Sequence, residues 1–298
     1  MSTQYVYQTL KSLSIQDLRQ LNREFDHSTT GNQANLIKRL MVGPNQMAGA
    51  KTIIDVSQAK ILENILEVGD NSFIKNATFF QLYNLYRTNR KSRDLIGPHL
   101  AKKRQAELKK LQTWLASHEK DYTIEQLTNL KRLRLEGDQI QVIPPEIGLL
   151  TNLEWLILSE NQIQTIPPEI SLLTNLKWLY LGSNQIQIIP PEIGQLTNLR
   201  YELYLDHNRI KTIPPEISGL TNLNRLDLSH NKIQTIPPEI GQLSNLKNLS
   251  LSENQIQTIP PEIGGLNNLR WLDLEDNLIT EIPSEIGQLK ERGTKVYI

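Results

Sequence analysis

The 298-residue sequence contains no cysteine, which removes disulfides, thiolate metal sites and cysteine nucleophiles together. It has no surplus of charge, with 32 Lys and Arg against 32 Asp and Glu, so the molecule as a whole shows no preference for polyanions. No apolar run approaches the roughly 18–20 residues of a membrane span, and the N-terminus lacks the basic-then-apolar pattern of a signal peptide. Catalytic signatures are missing too: no glycine-rich phosphate loop, no G-x-S-x-G, no H-E-x-x-H and no metal-spaced His/Asp cluster. The expectation is a protein that is not an enzyme and needs neither cofactor nor metal. The balanced total hides an asymmetry, since residues 1–126 carry 18 basic and 12 acidic side chains and residues 127–298 carry 14 and 20.

What the chain does have is a repeat. Leucines at Leu130, Leu153, Leu176, Leu199, Leu223, Leu246 and Leu269 each open the same sentence, spaced by 23 residues with one step of 24. Its fullest form, L-K-W-L-Y-L-G-S-N-Q-I-Q-I-I-P-P-E-I-G-Q-L-T-N, runs from Leu176 to Asn198. A period of this size, filled with L-x-x-L-x-L-x-x-N, marks a solenoid of stacked units. The L-x-x-L-x-L part predicts a short strand whose leucines turn inward while the residues between face out. Asn161, Asn184, Asn208, Asn231, Asn254 and Asn277 follow the strands, where an amide can satisfy the backbone of a buried bend. Ile163, Ile166 and Ile170, with their counterparts, return to the same core. Pro167-Pro168 cannot join a ladder and leads into a short helical turn, with Glu169 at its start where a carboxylate suits the amide dipoles. Seven glutamates at that one position, Glu146 to Glu285, argue for turn chemistry and against acid–base catalysis. No repeat can bury its apolar face without neighbours.

The form I-P-P-E-I-G-x-L-x-N-L, covering about 160 residues, resembles the intracellular Ras-group type of leucine-rich repeat. The resemblance implies an α/β leucine-rich repeat solenoid with about seven 23-residue repeats and its parallel strands on the concave face, preceded by an all-α N-terminal region. It also implies protein–protein binding, as a habit of the class. Secreted members commonly close their ends with disulfide-bonded caps, so a cysteine-free chain fits an intracellular protein, either cytoplasmic or associated with nucleic acid.

If strands pair in register, their outward residues form a grid, and the grid is where repeat proteins vary and bind. Its two columns read Arg132, Arg134; Trp155, Ile157; Trp178, Tyr180; Glu202, Tyr204; Arg225, Asp227; Asn248, Ser250; Trp271, Asp273. Trp155, Ile157, Trp178, Tyr180 and Tyr204 are expected to form an exposed apolar cluster, the usual mark of a binding surface; stacked rings that merely stabilise the sheet are the competing expectation. Arg225, Asp227, Trp271 and Asp273 complete the candidate partner-binding set, which turns polar and acidic towards the C-terminus. The fourth repeat, L-R-Y-E-L-Y-L, has one residue too many before Leu203, the signature of a bulge beside the aromatic cluster. His207 and His230 share a register in adjacent repeats and read as a surface pair.

Upstream, Leu13 to Met41 reads as two short helices. L-S-I-Q-D-L-R-Q-L followed by S-T-T-G-N-Q-A-N-L-I-K-R-L resembles the SAP motif, a helix–extension–helix module that binds nucleic acid. Where that family commonly has a basic residue just after the loop glycine, this chain has Asn32 and Gln33, so the phosphate contacts would come from Arg19, Arg23, Lys38 and Arg39. A further helix, about Pro98 to Ser117, places Leu100, Leu108, Leu111 and Leu115 on one side and Lys102, Lys103, Lys109 and Lys110 on the other. Those lysines form a second candidate phosphate surface, and the apolar side is suited to cap the solenoid. The expected domains are residues 1–43, a SAP-like motif; 44–126, a helical region with the cap; and 127–298, the repeats.

The leading functional expectation is a non-enzymatic scaffold or adaptor holding a protein partner on the concave strand face. Two alternatives remain at this stage: an adaptor tethered to nucleic acid by the basic N-terminal region, and a structural component of a larger assembly.

Overall fold

The computed structural model describes residues 93–298, with side chains from Leu100 onward; the SAP-like stretch and Arg19, Arg23, Lys38 and Arg39 lie outside the described residues. The chain forms two compact units, 1–106 and 107–298. Helix α1, Arg93–Ala116, begins earlier than Pro98, where the sequence placed its start.

The repeats build one open sheet of eight parallel strands in chain order: β1 Arg132–Arg134, β2 Trp155–Ile157, β3 Trp178–Tyr180, β4 Glu202–Tyr204, β5 Arg225–Asp227, β6 Asn248–Ser250, β7 Trp271–Asp273 and β8 Lys295–Tyr297. Leu133, Leu156, Leu179, Leu203, Leu226, Leu249 and Leu272 stand in register, with Val296 ending the row. Each strand is three residues long because the chain turns as soon as the last inward leucine is seated. The opposite side is six 3₁₀ turns, from Pro145–Leu149 to Pro261–Gly265. In each, the first proline precedes the turn in extended conformation and the second fills its opening position, where an N–H would have no partner.

Between strands and turns the leucine and isoleucine columns are almost wholly enclosed. Strands β2 to β7 each lead into a bend whose key residue is left-handed: Glu160, Ser183, His207, His230, Glu253 and Asp276 have φ between 51° and 57°. The asparagine that follows each of them holds the bend. Asn161 Nδ2 donates to the carbonyls of Leu135 (2.7 Å), Leu158 (3.0 Å) and Ser159 (3.1 Å), while its Oδ1 accepts from the Ile140 amide (2.9 Å). Two of these four bonds stay within the repeat and two reach the preceding one. A second, exposed ladder works the same way, with Asn175 donating to Thr151 O and Asn198 to Thr174 O.

The first repeat has Asp138 in the asparagine position, and its Oδ2 is buried with no hydrogen-bond partner. A carboxylate cannot donate to the Leu135 and Glu136 carbonyls as an amide would. Asp138→Asn is therefore expected to raise stability by about 1–2 kcal/mol in urea unfolding followed by circular dichroism; no gain would show that this bend differs from the other six.

The unit of repeats is closed at both ends. On the N-terminal side Leu108, Leu111 and Leu115 of α1 and Leu127 of α2, Ile124–Asn129, are buried. Lys110 bridges Glu107 at 2.6 Å and Glu146 of the first repeat at 3.8 Å, and Thr123 with Gln126 forms a capping box on α2. At the other end lie α3, Ser284–Glu291, and β8, an eighth strand that the 23-residue beat does not announce. Arg292 ties α3 back to the Gly264 carbonyl and to Asn267, each at 3.1 Å. The covering is thinner here: Ile282 is 59% exposed, whereas its counterparts in earlier repeats are nearly enclosed.

Candidate functional site

Strand pairing brings the two outward columns together as expected, and it decides how their rings meet. Trp155 and Trp178 stack face to face, with centroids 4.1 Å apart and planes 9° apart. Trp178 then stacks on Tyr201 at 4.1 Å and 11°. In the second column Tyr180 stacks on Tyr204 at 5.0 Å, and the Arg225 guanidinium lies 5.1 Å over the Tyr204 ring. The rings spend their faces on one another and turn their edges to solvent. Trp155, Trp178, Tyr180 and Tyr204 are consequently half-buried, and Ile157, sandwiched in register between Arg134 and Tyr180, is buried. The fully exposed cluster expected from the sequence is thus a partly shielded ladder, with Ile157 outside its accessible part. Of the other candidates, Arg225 and Trp271 are exposed, while Asp227 and Asp273 are half-buried.

Tyr201 joins the site because of the extra residue. Strand register sets Glu202 opposite Trp178, yet the ring beside Trp178 is that of Tyr201. In the regular repeats one carbonyl accepts from two successive amides, as Lys131 O does from Glu154 and Trp155. In the fourth repeat the task is split, with Arg200 O serving Asn224 and Tyr201 O serving Arg225. The surplus residue is absorbed before the strand, and Tyr201 takes the tryptophan column. This frees Glu202 to receive the hydroxyls of Tyr180 and Tyr204 on its carboxylate. The only hint in the sequence was a tyrosine inside the insertion. Tyr297 was missed as well; it lies on β8 and packs against Trp271 at 4.6 Å.

Burial, followed by the hydrogen bond to Glu202, pushes the Tyr180 phenol well above its usual range. Burial with the Glu202 charge outweighs Arg225 and pushes Tyr204 up to about 12. Below pH 10 both phenols are neutral in folded and unfolded chains, so they add no pH dependence. Above that, the unfolded chain loses these protons and the folded one keeps them, so stability falls as pH rises from 10 towards 12. Difference absorbance at 295 nm between the protein and Tyr180→Phe/Tyr204→Phe should show no phenolate from this pair until about pH 12. Ionisation near pH 10 would refute the shielding.

Charge is sorted across the face. The residues entering the strands are mostly basic: Lys131 and Lys177 bridge Glu154 at 3.6 and 2.7 Å and hold its carboxyl below the usual range, and Arg200, Lys247 and Arg270 continue the column. The acids gather at the other edge: Glu136, Asp206 and Glu275 just past their strands, where the other repeats have Ser159, Gly182, Ser229 and Ser252, with Asp227 and Asp273 at strand ends and Asp276 beyond. His207 and His230 stack at 3.9 Å, with their Nδ1 atoms beside Asp206 (3.1 Å) and Glu253 (2.8 Å). No group of three potential metal ligands occurs among the described residues. On α1, Lys102, Lys109 and Lys110 are exposed and Lys103 is half-buried. No described helix is long and apolar enough to cross a membrane.

Family comparisons agree with this geometry. The model of a leucine-rich repeat region matches residues 110–201, and the leucine rich repeat model matches 197–240 and 240–279. Among solved structures, the chain is similar to the leucine-rich repeat ectodomain of the plant membrane receptor kinase GASSHO1/SCHENGEN3 from Arabidopsis thaliana, a complex with CASPARIAN STRIP INTEGRITY FACTOR 2. That match has 38% identity over 52% of this chain and 19% of that one, with a TM-score of 0.47. It is also similar to a leucine-rich repeat protein of Leptospira interrogans, at 33% identity over 58% of this chain and 61% of that one, with a TM-score of 0.43. The chain thus spans about a fifth and about three fifths of those two proteins. No match to a curated protein was found.

Proposed function

As this chain is a leucine-rich repeat protein, a class that generally mediates protein–protein interaction, we propose that it is a non-enzymatic scaffold or adaptor that seats a protein partner on its strand face. The observation that carries this reading is the stack Trp155–Trp178–Tyr201. Rings already locked against one another lose little conformational freedom when a partner covers them, and tryptophan and tyrosine of this kind dominate binding energy. Stacking and binding are therefore compatible: the faces stabilise the sheet while the edges and the open ends of the stack meet the partner.

The finer features belong to the same proposal. They are a Ras-group character of the repeats, an intracellular setting, and a SAP-like module in residues 1–43 that, with Lys102, Lys103, Lys109 and Lys110, would tether the adaptor to nucleic acid. The test is affinity capture from the native cell extract with the full chain and with Trp155→Ala/Trp178→Ala, with and without nuclease. The double variant is expected to keep its circular dichroism spectrum and lose at least tenfold in captured partner, about 1.4 kcal/mol or more. Undiminished capture would refute the strand-face reading.

A further inference from the structure

The sorted charges say more about the occupant than the rings do. Resting on the strand-face reading, we infer that the fourth to seventh repeats accept an amphipathic α-helix lying along the solenoid axis, with acidic residues on one flank and basic residues on the other.

In these repeats the column entering the strands carries Arg200, Lys247 and Arg270, none with an ion-pair partner among the described residues. The edge where the strands leave carries Asp206, Asp227 and Glu253, paired with His207, Arg225 and His230, and in the seventh repeat Asp273, Glu275 and Asp276, which have no ion-pair partner among the described residues. The floor between the edges is shaped to match. Tyr201 and Tyr204 stand at one end and Trp271 with Tyr297 at the other, and between them β5 sets Arg225 and Asp227, paired with each other at 3.9 Å, and β6 the short side chains Asn248 and Ser250. A rod with an apolar seam fits such a trough, its seam touching the aromatic ends.

Spacing chooses helix over extended chain. Neighbouring strands lie about 4.8 Å apart, and an α-helix advances about 5.4 Å per turn. One turn therefore meets about one repeat, and the mismatch over four strands stays near 2 Å. An extended segment repeats its side-chain pattern every two residues, about 6.6–6.8 Å, and slips by almost half a strand spacing at each step. Four turns of helix, about 14 residues, span these strands. Because the edges differ in sign, the side on which the helix carries its acidic flank sets its direction along the solenoid.

The test uses three labelled 14-residue helical peptides with the same leucine seam and fluorescence anisotropy on the full-length protein. The first has glutamates on one flank and lysines on the other, the second has that composition with charges interleaved on both flanks, and the third has lysines on both. The first should bind at least tenfold tighter than the others. Lys247→Glu/Arg270→Glu, which leaves Arg200 as the last base on that edge and turns its net charge negative, should cost the first peptide at least tenfold and make the third the preferred ligand. Equal binding of the first two peptides, no binding by any, or an unchanged order in the variant would overturn the inference. Trp155 and Trp178 lie outside these four repeats, so partner capture that still depends on them would leave the broader reading standing if the peptides fail.

Discussion

Asn208→Leu should cost the repeat unit about 2.5–4.5 kcal/mol, although leucine keeps the same branched skeleton of four heavy atoms. Asn208 Nδ2 donates to the carbonyls of Leu181, Leu205 and Asp206 at 2.9–3.1 Å, and Oδ1 accepts from the Ile186 amide at 2.9 Å. The carbonyls are insured: Leu181 O also receives Asn184, Leu205 O also receives Asn231, and Asp206 O also receives the Ser183 amide. The Ile186 amide has no such second partner. Orphaning one buried N–H costs about 1–3 kcal/mol and each lost donation about 0.5–1.5, with the insured carbonyls at the low end. Because repeats touch only their neighbours, the damage should also loosen coupling between the halves on either side. Urea unfolding should therefore show a lower midpoint and a broadened transition. A loss under 1 kcal/mol would mean that water takes over the amide and that the bend is not sealed.

The second large effect is a change of sign between two equivalent glycines. Gly194 and Gly287 occupy the same place in the third and seventh repeats. A Cβ at Gly194 would overlap the Glu216 carbonyl oxygen of the next turn, while at Gly287 it would meet nothing within 4 Å. Gly194→Ala should thus lose about 2–3 kcal/mol as the backbone is forced apart. Gly287→Ala, inside α3, should gain about 0.5–1 from helix propensity. Two junctions are built this tightly, with Gly194 facing Gly219 and Gly241 facing Gly265; a Cβ on Gly219 would overlap the Gly194 carbonyl in return. The junction before the first and the one between the two carry Ser171 and Ser218 at that place, with Gln195 and Gln242 in the facing position. Losses of equal size at Gly194 and Gly287 would show that crowding between turns is not the cause.

Much of this architecture was legible because one physical demand is met identically seven times. Leucines at fixed offsets can only be buried together if the strands align, so Leu133 to Leu272 fall into register without further information. The asparagines and the Pro-Pro turns were readable for the same reason. What escaped was whatever broke the rule. Tyr201 could not be placed because a surplus residue can be absorbed before, within or after the strand, and the sequence does not say where. The β8 strand has Val296 where leucine is expected, and it follows α3 instead of an I-P-P turn. Ile157 reads as outward, which it is, but exposure depends on the width of its neighbours, and Arg134 and Tyr180 close over it. The outward columns of the sheet were thus legible in the sequence, while the Glu202 bridge between the tyrosines needed coordinates.

Both asparagine ladders reach backwards only. Asn161 secures the amide of Ile140, 21 residues earlier, and a carbonyl 26 residues earlier, and the pattern repeats to Asn277. On the ribosome, each bend must wait for about another repeat's length of nascent chain before its hydrogen bonds can be completed. Growth should therefore proceed as a travelling front with one unfinished loop at its trailing edge, and a pause in translation would leave that single loop, not the whole sheet, open to chaperones and proteases.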